Sequence, residues 1–396
     1  MWAVTNLSAR TNLPLKPGLF DLVVIDEASQ CDIASALPLL VRGKRALIVG
    51  DQKQLVHISS LSRGRERTIA GRSGLSDSQI GEFSYADRSC FALASSRVSA
   101  TPIFLDLHFR SHPAIASFSN ERFYGARLEL CGASVPPDGL RPVEWIRVAG
   151  RSQTGPGGRS RVNSAEADRI VRAIVRGLPT YNGLGCDVGI VTPYGAQARL
   201  IETRLANALG KADLESLKVA TAHRFQGDER DIMYFSPAID RSMPERSVRF
   251  AADPNLVNVA LTRARRRLIV VGDPDACLAH DNALRALANY ALRLGASGFD
   301  SPLELALHEA LLKEGVAAST GIVVGNHRLD LAVERDGVRL DIECDGAAFH
   351  ADHDSDASRD RAVEAEGWSV IRFSGRELSR DLDACVNRII ERLATG

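Results

Sequence analysis

Phe20-Asp21-Leu22-Val23-Val24-Ile25-Asp26-Glu27-Ala28-Ser29-Gln30 decides the fold of this chain. A short, largely β-branched apolar run without polar alternation reads as a strand buried on both faces, the mark of a parallel sheet. The run stops at two adjacent carboxylates. Open α/β sheets place their ligands at the C-terminal ends of strands. Asp26 and Glu27 therefore stand where a nucleotide-hydrolysing site holds Mg²⁺ on one acid and orients water with the next. Strands also end in solvated acids, so the pair by itself leaves both readings open.

Four further segments follow the same logic. Ala46-Leu47-Ile48-Val49-Gly50-Asp51 is a second strand ending in an acid, with Gln54 just beyond it. His108-Phe109-Arg110-Ser111-His112-Pro113 comes next, then Thr221-Ala222-His223-Arg224-Phe225-Gln226-Gly227-Asp228-Glu229. Asn258-Val259-Ala260-Leu261-Thr262-Arg263-Ala264-Arg265 leads into a strand, Leu268–Val271, that ends in Gly272-Asp273. In order and spacing these segments resemble motifs II to VI of superfamily 1 helicases, over roughly residues 1–275. The nearest branch is the one holding RNA-surveillance helicases and the helicase–nucleases of DNA replication.

That resemblance implies two RecA-like lobes and a motor driven by ATP with Mg²⁺. Asp26 would hold the metal, Glu27 would activate water and Gln54 would sense the γ-phosphate. Arg110 and Arg263 would be arginine fingers that stabilise charge on the transferring phosphoryl group. Gly227 and Glu229 would lie at the nucleotide, with Glu229 on the ribose. Ser111, His112, Thr192, Tyr194, Thr221 and His223 match positions that contact the nucleic-acid backbone. The usual Pro-Pro after motif III is replaced here by Val56-His57, and Arg265-Arg266-Arg267 reads as a solvated turn rather than a patch on the nucleic-acid backbone.

No G-x-x-x-x-G-K-[ST] phosphate loop occurs. Gly43-Lys44 is followed by Arg45, Gly210-Lys211 by Ala212, and Gly155-Pro156-Gly157-Gly158-Arg159-Ser160 has no lysine. A phosphate cradle needs backbone N–H groups and a lysine on the β/γ-phosphates. The expectation is a C-terminal portion of a helicase: a fragment, a split gene product whose partner chain supplies the phosphate loop, or a decayed copy.

Composition bounds the rest. The 396 residues suit two or three domains, and 45% are hydrophobic. Net charge is zero, so nucleic acid must be met by local patches. There are 43 arginines against 6 lysines, a bias that suits bidentate phosphate contact. The seven cysteines form no C-x-x-C pair, which argues against a zinc ribbon and for a reduced, cytoplasmic protein. Neither a signal-peptide core nor a membrane-length apolar run is present.

Along the chain, residues 1–100 read as an incomplete first RecA-like lobe, whose stretch 61–100 is loops and short helices. Residues 101–280 read as the second lobe, with strands Ile103–Leu107, Val188–Thr192, Val219–Thr221, Ile232–Ser236 and Leu268–Val271. Strands alternating with helices imply a parallel, doubly wound sheet. Residues 150–161 read as a surface loop, and 281–299 as a helix and linker.

The tail, residues 300–396, has a different logic. Pro302–Lys313 is a helix, and His327–Glu334 and Val338–Asp345 are strands joined at Asp336-Gly337, a strong hairpin signal. Period two puts Asp341, Glu343 and Asp345 on one face. Three like charges on one face need a neutralising cation. With Ser301-Pro302-Leu303-Glu304, Arg328-Leu329-Asp330, Arg359-Asp360-Arg361 and Gly367-Trp368 to Phe373, the set resembles the PD-(D/E)XK nuclease fold, in its branch akin to very-short-patch-repair endonucleases. The resemblance implies an α/β nuclease domain in which Asp330, Glu343 and Asp345 bind Mg²⁺ or Mn²⁺ and Glu304 orients water. Asp345 stands where the general motif has lysine, which leaves His350 or Arg361 to supply the missing proton-transfer or charge role.

Taken together, the sequence implies an ATP-dependent DNA helicase or translocase fused to a metal-dependent endonuclease, acting on single-stranded DNA or a junction away from membranes. Without a phosphate loop, ATP turnover by this chain alone is not expected. The alternative is an inactive helicase-like module that binds nucleic acid, with or without an active nuclease tail.

Overall fold

The computed structural model describes residues 2–57, 59, 61–97, 102–131, 136, 140–158, 160–225, 227–325, 327–345 and 353–395. The chain divides into two units, Met1–Leu105 and Asp106–Gly396.

In the first unit, strands Val23–Ile25 and Ala46–Ile48 pair in parallel, Val23 opposite Ala46 and Ile25 opposite Ile48. The crossover between them is the helix Ile33–Arg42, started by Asp32, whose Oδ1 accepts the Ser35 N–H at 2.8 Å. That cap satisfies one of the donors every helix leaves open at its start. Ile25, Ala28, Cys31, Ala36 and Cys90 form the core, with Ile48 and Phe91 against it. Arg42 is buried and donates to the carbonyls of Leu13 at 2.8 Å and Pro14 at 3.0 Å, fixing the end of the helix Asn6–Asn12. Three short helices follow, Arg63–Arg72, Asp77–Glu82 and Cys90–Arg97. Two strands cannot bury both their faces: Leu22, Val24 and Leu47 remain 48%, 55% and 51% exposed.

The second unit is built on five strands, all parallel. Their spatial order is Val143–Arg147, Ala264–Gly272, Arg230–Phe235, Val188–Thr192, Leu217–Thr221. Arg230–Phe235 is central, and its Ile232, Met233, Tyr234 and Phe235 are fully buried. Val188–Thr192 matches the sequence reading, and three more expected strands appear with shifted ends. Ile103–Leu107 is not a strand. Ile103 is 90% exposed, and only Leu107–His108 pairs, with Glu129–Leu130. The edge strand Val143–Arg147 was not anticipated, because Glu144 and Trp145 interrupt its apolar run. The glycine-rich 150–161 segment is a hairpin, Ser152–Thr154 against Arg161–Asn163, rather than a plain loop. Within 281–299, the helix Ala283–Ser297 is packed: Leu284, Leu287, Ala288 and Ala291 are buried, and Tyr290 leans on Phe118 at 5.4 Å.

The tail closes a smaller sheet inside the same unit. Leu331–Arg335 runs antiparallel to Val338–Asp345, and Ser369–Ser374 adds in parallel on the other side. Asp336 and Gly337 make the two-residue connection with φ of 50° and 87°. Left-handed geometry at both positions is the turn that Asp-Gly favours. The expected strand His327–Glu334 is broken at Leu329-Asp330: His327–Arg328 pairs instead with Val323–Val324. The helix Pro302–Lys313 has the expected bounds and is capped by Ser301, whose Oγ accepts the Glu304 N–H at 3.1 Å.

One buried acid organises the C-terminal ends of the large sheet. Glu166 opens the helix Ser164–Gly183 and is fully buried. Its Oε2 accepts from Ser236 Oγ at 2.6 Å and the Ala238 N–H at 2.9 Å, and its Oε1 from Asn163 Nδ2 at 3.0 Å. Burial outweighs those hydrogen bonds, and with Asp273 and Asp240 nearby pushes the Glu166 carboxyl up to about 8.

Two expectations follow. Amides of Val23–Ile25 and Ala46–Ile48 should exchange with deuterium faster than those of Val188–Thr192 and Arg230–Phe235, since a two-stranded sheet opens locally at little cost. Equal protection would refute this. Glu166 keeps its proton in the native state up to about 8 but loses it near 4.5 when unfolded. Rising pH in that window therefore destabilises the wild type, by at most about 1.4 kcal/mol per pH unit from this group. Chemical denaturation of Glu166→Gln should show a stability difference that moves in the variant's favour from pH 5 to pH 8 and then stops changing. A difference independent of pH would show that Glu166 is ionised in the fold.

Candidate functional site

In the first unit the expected nucleotide-site acids stand at the ends of adjacent strands. Asp26 and Glu27 are exposed, and Asp26 Oδ1 accepts the Glu27 N–H at 2.9 Å. Glu27 adopts φ of 50°, a left-handed conformation that a residue with a Cβ holds only at some cost. Its Oε2 accepts from Gln30 Nε2 at 2.9 Å. Ser29 ties this loop to the next: its Oγ accepts the Asp51 N–H at 2.7 Å. Gln54 Nε2 in turn donates to Asp51 Oδ2 at 3.1 Å. Gly50 permits the approach, because a Cβ there would meet Ser29 Oγ and the Phe91 ring, each at 2.7 Å.

In the second unit the expected residues separate onto opposite ends of the large sheet. Arg265 sits at the N-terminal end. Its guanidinium meets Asp187 at 3.0 Å, Asp231 at 3.1 Å and Glu229 at 3.4 Å. Arg110 Nε reaches the other oxygen of Glu229 at 2.6 Å. Glu229 is thus held between two arginines. Arg263 is buried against the end of the helix Pro254–Leu261, donating to Val259 O at 3.2 Å and Asp228 O at 3.5 Å. His108 belongs to the same group. Burial, and then Arg110 and Arg263, push its imidazole down to about 4, so it is neutral at pH 7 and accepts the Ser111 N–H at 3.2 Å through Nε2. Arg110 and Glu229 are therefore brought together with Arg263 close by, and Gly227, with φ of 80°, lies in the turn that leads through Glu229 into the strand Arg230–Phe235. The run Arg265-Arg266-Arg267 is not a solvated turn. It lies in a strand, where Arg267 is buried against Glu144 and Arg266 donates to Cys186 Sγ at 3.1 Å.

The six nucleic-acid positions do not form one surface in this unit. Ser111 and His112 lie beside Arg265, whose carbonyl accepts the His112 N–H at 2.7 Å. Thr192 and Thr221 face each other in register at the far ends of their strands. Arg267 is level with Val188, so from Arg265 to the level of Thr192 is six residues of strand, roughly 20 Å along the sheet. Ser111 and Thr192 are fully buried, and Tyr194 is buried with its hydroxyl on Ser247 O at 2.6 Å. Thr221 and His223 are half-buried, so these two are the accessible members of the second group.

In the tail, four acids converge. Glu304 is buried on its helix, and its Oε2 accepts the Asp300 N–H at 2.9 Å. Asp330 stands where the strand breaks, and its Oδ2 accepts the Cys344 N–H at 2.9 Å. Burial, reinforced by Asp330, holds the Glu304 carboxyl well above the usual range. Asp341 and Glu343 are each 1% exposed. Burial pushes Asp341 up to about 6, and its Oδ1 has no hydrogen-bond partner. Glu343 is paired with Arg359 at 2.7 Å and lies 3.9 Å from Arg372. The cations expected opposite these acids are thus guanidinium groups in the described structure. Among the described residues no group of three or more His, Cys, Asp or Glu side chains is placed to hold a metal ion. Asp345 continues the strand, but its side chain lies outside the described residues, as does His350 altogether. Arg361 is exposed, and Arg359 faces the acids in its stead.

Sequence reasoning missed Arg359 and Arg372 as partners of Glu343. Two signals were available. Arg359 is four residues from the apolar Val363, hence on the same helix face. Arg372 lies on a strand that, once paired, sets it opposite Glu343.

Comparison with known proteins gives the context. An AAA domain model matches residues 86–275, another AAA domain model matches residues 5–58, and the REase_MTES_1575 model matches residues 304–393. The Neurospora crassa "Regulator of nonsense transcripts 1 homolog" is 26% identical over 277 residues, 66% of this chain. "ATP-dependent helicase upf1" of Schizosaccharomyces pombe is 29% identical over 287 residues, also 66% of this chain. The mouse "5'-3' DNA helicase ZGRF1" is 30% identical over 262 residues, 64% of this chain. The chain spans only 23%, 27% and 13% of these relatives' lengths. No helix among the described residues is long and apolar enough to cross a membrane. Residues 5–58 and 86–275 thus match two AAA domain models, the relatives matched include proteins named as helicases, and the tail matches a different model.

Proposed function

We propose that this chain is the helicase-type body of an ATP-driven DNA translocase joined to a metal-dependent DNA endonuclease. The observation that carries the motor half is that Arg110 and Arg265 hold Glu229 at one end of the parallel sheet, with neutral His108 beside Arg110 and Arg263. Arginines held on a carboxylate are ready to exchange it for a phosphate of similar geometry. Asp26, Glu27 and Gln54 would serve the metal, water and γ-phosphate of the nucleotide. DNA is the substrate favoured by the endonuclease-type tail.

For the tail, the donors suit a hard divalent cation in kind: all are carboxylate oxygens, and one of them, Asp341 Oδ1, is buried without a partner. Asp330 and Glu343, with Asp345, would hold Mg²⁺ or Mn²⁺. Such a cation would supply positive charge and Lewis acidity at a phosphodiester. The protein's own part is to hold Asp330 on the Cys344 N–H and to keep Glu304 and Asp341 buried beside it, where burial raises both carboxyls above their usual range.

Purified chain should hydrolyse ATP negligibly, since the phosphate loop that supplies most contacts to the β- and γ-phosphates is missing from the sequence. DNA-stimulated turnover of about 1 s⁻¹, lost in Glu27→Gln, would overturn this. In Mg²⁺ or Mn²⁺ the chain should nick plasmid DNA, and Asp330→Asn and Glu343→Gln should each lower the rate at least about a hundredfold with unchanged circular dichroism. Nicking that survives in both variants would remove the tail acids from the chemistry.

A further inference from the structure

The face of the tail sheet that carries Asp341 and Glu343 is roofed by the helix His353–Ala365. Val363 of that helix packs with Ala332 and Val370, the two residues level with Asp341 on the neighbouring strands. One helical turn back, Arg359 reaches down to the sheet. Its Nη2 donates to Glu343 Oε1 at 2.7 Å and to the Arg328 carbonyl at 2.9 Å. Arg372 lies level with Glu343 on the adjacent strand and is held by Asp360, with Nε on Asp360 Oδ2 at 3.3 Å. The two guanidiniums are not equivalent. Arg372 has its own acid and stands 3.9 Å from Glu343, whereas Arg359 spends its short contact on Glu343 itself.

A carboxylate 1% exposed must be neutralised by something. Arg359 does so from a partly exposed position, with 28% of its side chain open to solvent. Beside the pair, Asp341 Oδ1 is buried with no partner. The pocket is therefore neutralised at Glu343, while one oxygen of Asp341 is left without a hydrogen bond.

We propose that Arg359 is a stand-in cation: it occupies Glu343 until a divalent metal takes that carboxylate, and the released guanidinium then binds the phosphodiester. The inference rests on the nuclease reading above. It makes metal binding and the Arg359–Glu343 pair mutually exclusive. It also makes the arginine a phosphate ligand only once metal is present. A fork of N–H donors matches a phosphate as well as a carboxylate, so the exchange costs little in geometry.

The test uses the whole chain, stripped of metal, with Mn²⁺ binding followed by titration calorimetry. Arg359→Gln should bind Mn²⁺ at least about tenfold more tightly than the wild type, because the competitor is gone. Arg359→Lys, a point charge unable to bridge Glu343 and the Arg328 carbonyl together, should fall between them; it decides the matter if the glutamine variant fails to fold. A second readout is binding of a DNA oligonucleotide in Ca²⁺, followed by fluorescence anisotropy. Wild-type affinity should rise when Ca²⁺ is added, and that rise should vanish in Arg359→Gln. If wild type binds Mn²⁺ and the variants bind it equally or less well, Arg359 merely positions Glu343 and the proposal falls, leaving the nuclease reading intact. If no form of the chain binds Mn²⁺, the nuclease reading falls and takes the proposal with it.

Discussion

The contact of Arg265 with three carboxylates fixes the larger unit at the end where its candidate chemistry lies. Asp187 precedes the strand Val188–Thr192, Asp231 is in the central strand, and Glu229 is in the turn before it. One guanidinium thus ties the entrances of three adjacent parallel strands. Without it, three acids would crowd a single sheet edge, each raising the cost of ionising the others. The backbone of Arg265 does a second job: its carbonyl receives the His112 N–H, which docks the segment carrying His108 and Arg110. Residues more than a hundred positions apart in sequence reach one place through one side chain and its own peptide.

The two units solve the same problem unequally. A parallel strand is buried on both faces and needs neighbours on both edges. Arg230–Phe235 has them, and its side chains are sealed. Among the described residues Val23–Ile25 has a single partner strand, and Leu22, Val24 and Leu47 are half-exposed. The smaller unit compensates locally. Arg42 fastens the leading helix through carbonyls, and Ser29 fastens one loop to the other. These are side-chain-to-backbone bonds, which hold loop geometry well but bury little apolar area.

How much was legible in the sequence follows from the range of the interactions. Val188–Thr192 and Pro302–Lys313 were readable to the residue, because an apolar run or a Ser-Pro cap is written locally. The Asp336-Gly337 hairpin was readable for the same reason. The strand Val143–Arg147 was not, since its Glu144 is an ion-pair partner of Arg267, more than a hundred residues away. Ile103–Leu107 misled in the opposite sense: its β-branched and aromatic residues favour a strand, but among the described residues only its last member, Leu107, has a neighbour to pair with. Among site residues, Arg110, Glu229 and Arg263 lie in three separate segments, and only the resemblance, not any local pattern, proposed them together. The burial of Ser111, Thr192 and Tyr194 was invisible, because a hydroxyl at a strand end has the same sequence whether it faces solvent or the core.

The tail shows why an alternation of acids on a strand is an ambiguous signal. Period two correctly set Asp341 and Glu343 on one face, and electrostatics correctly required a positive partner. Neither argument could say whether that partner is a metal ion or an arginine, since both satisfy the same demand. A structural arginine pair would be expected to leave no acid oxygen unsatisfied, because nothing else will arrive to satisfy it. Here Asp341 Oδ1 is left over, Glu304 is buried beside Asp330, and the arginine that neutralises Glu343 reaches it from a partly open helix. A site with more carboxyls than arginines, one of whose buried oxygens is unpaired, is better suited to exchange its cation than to keep it.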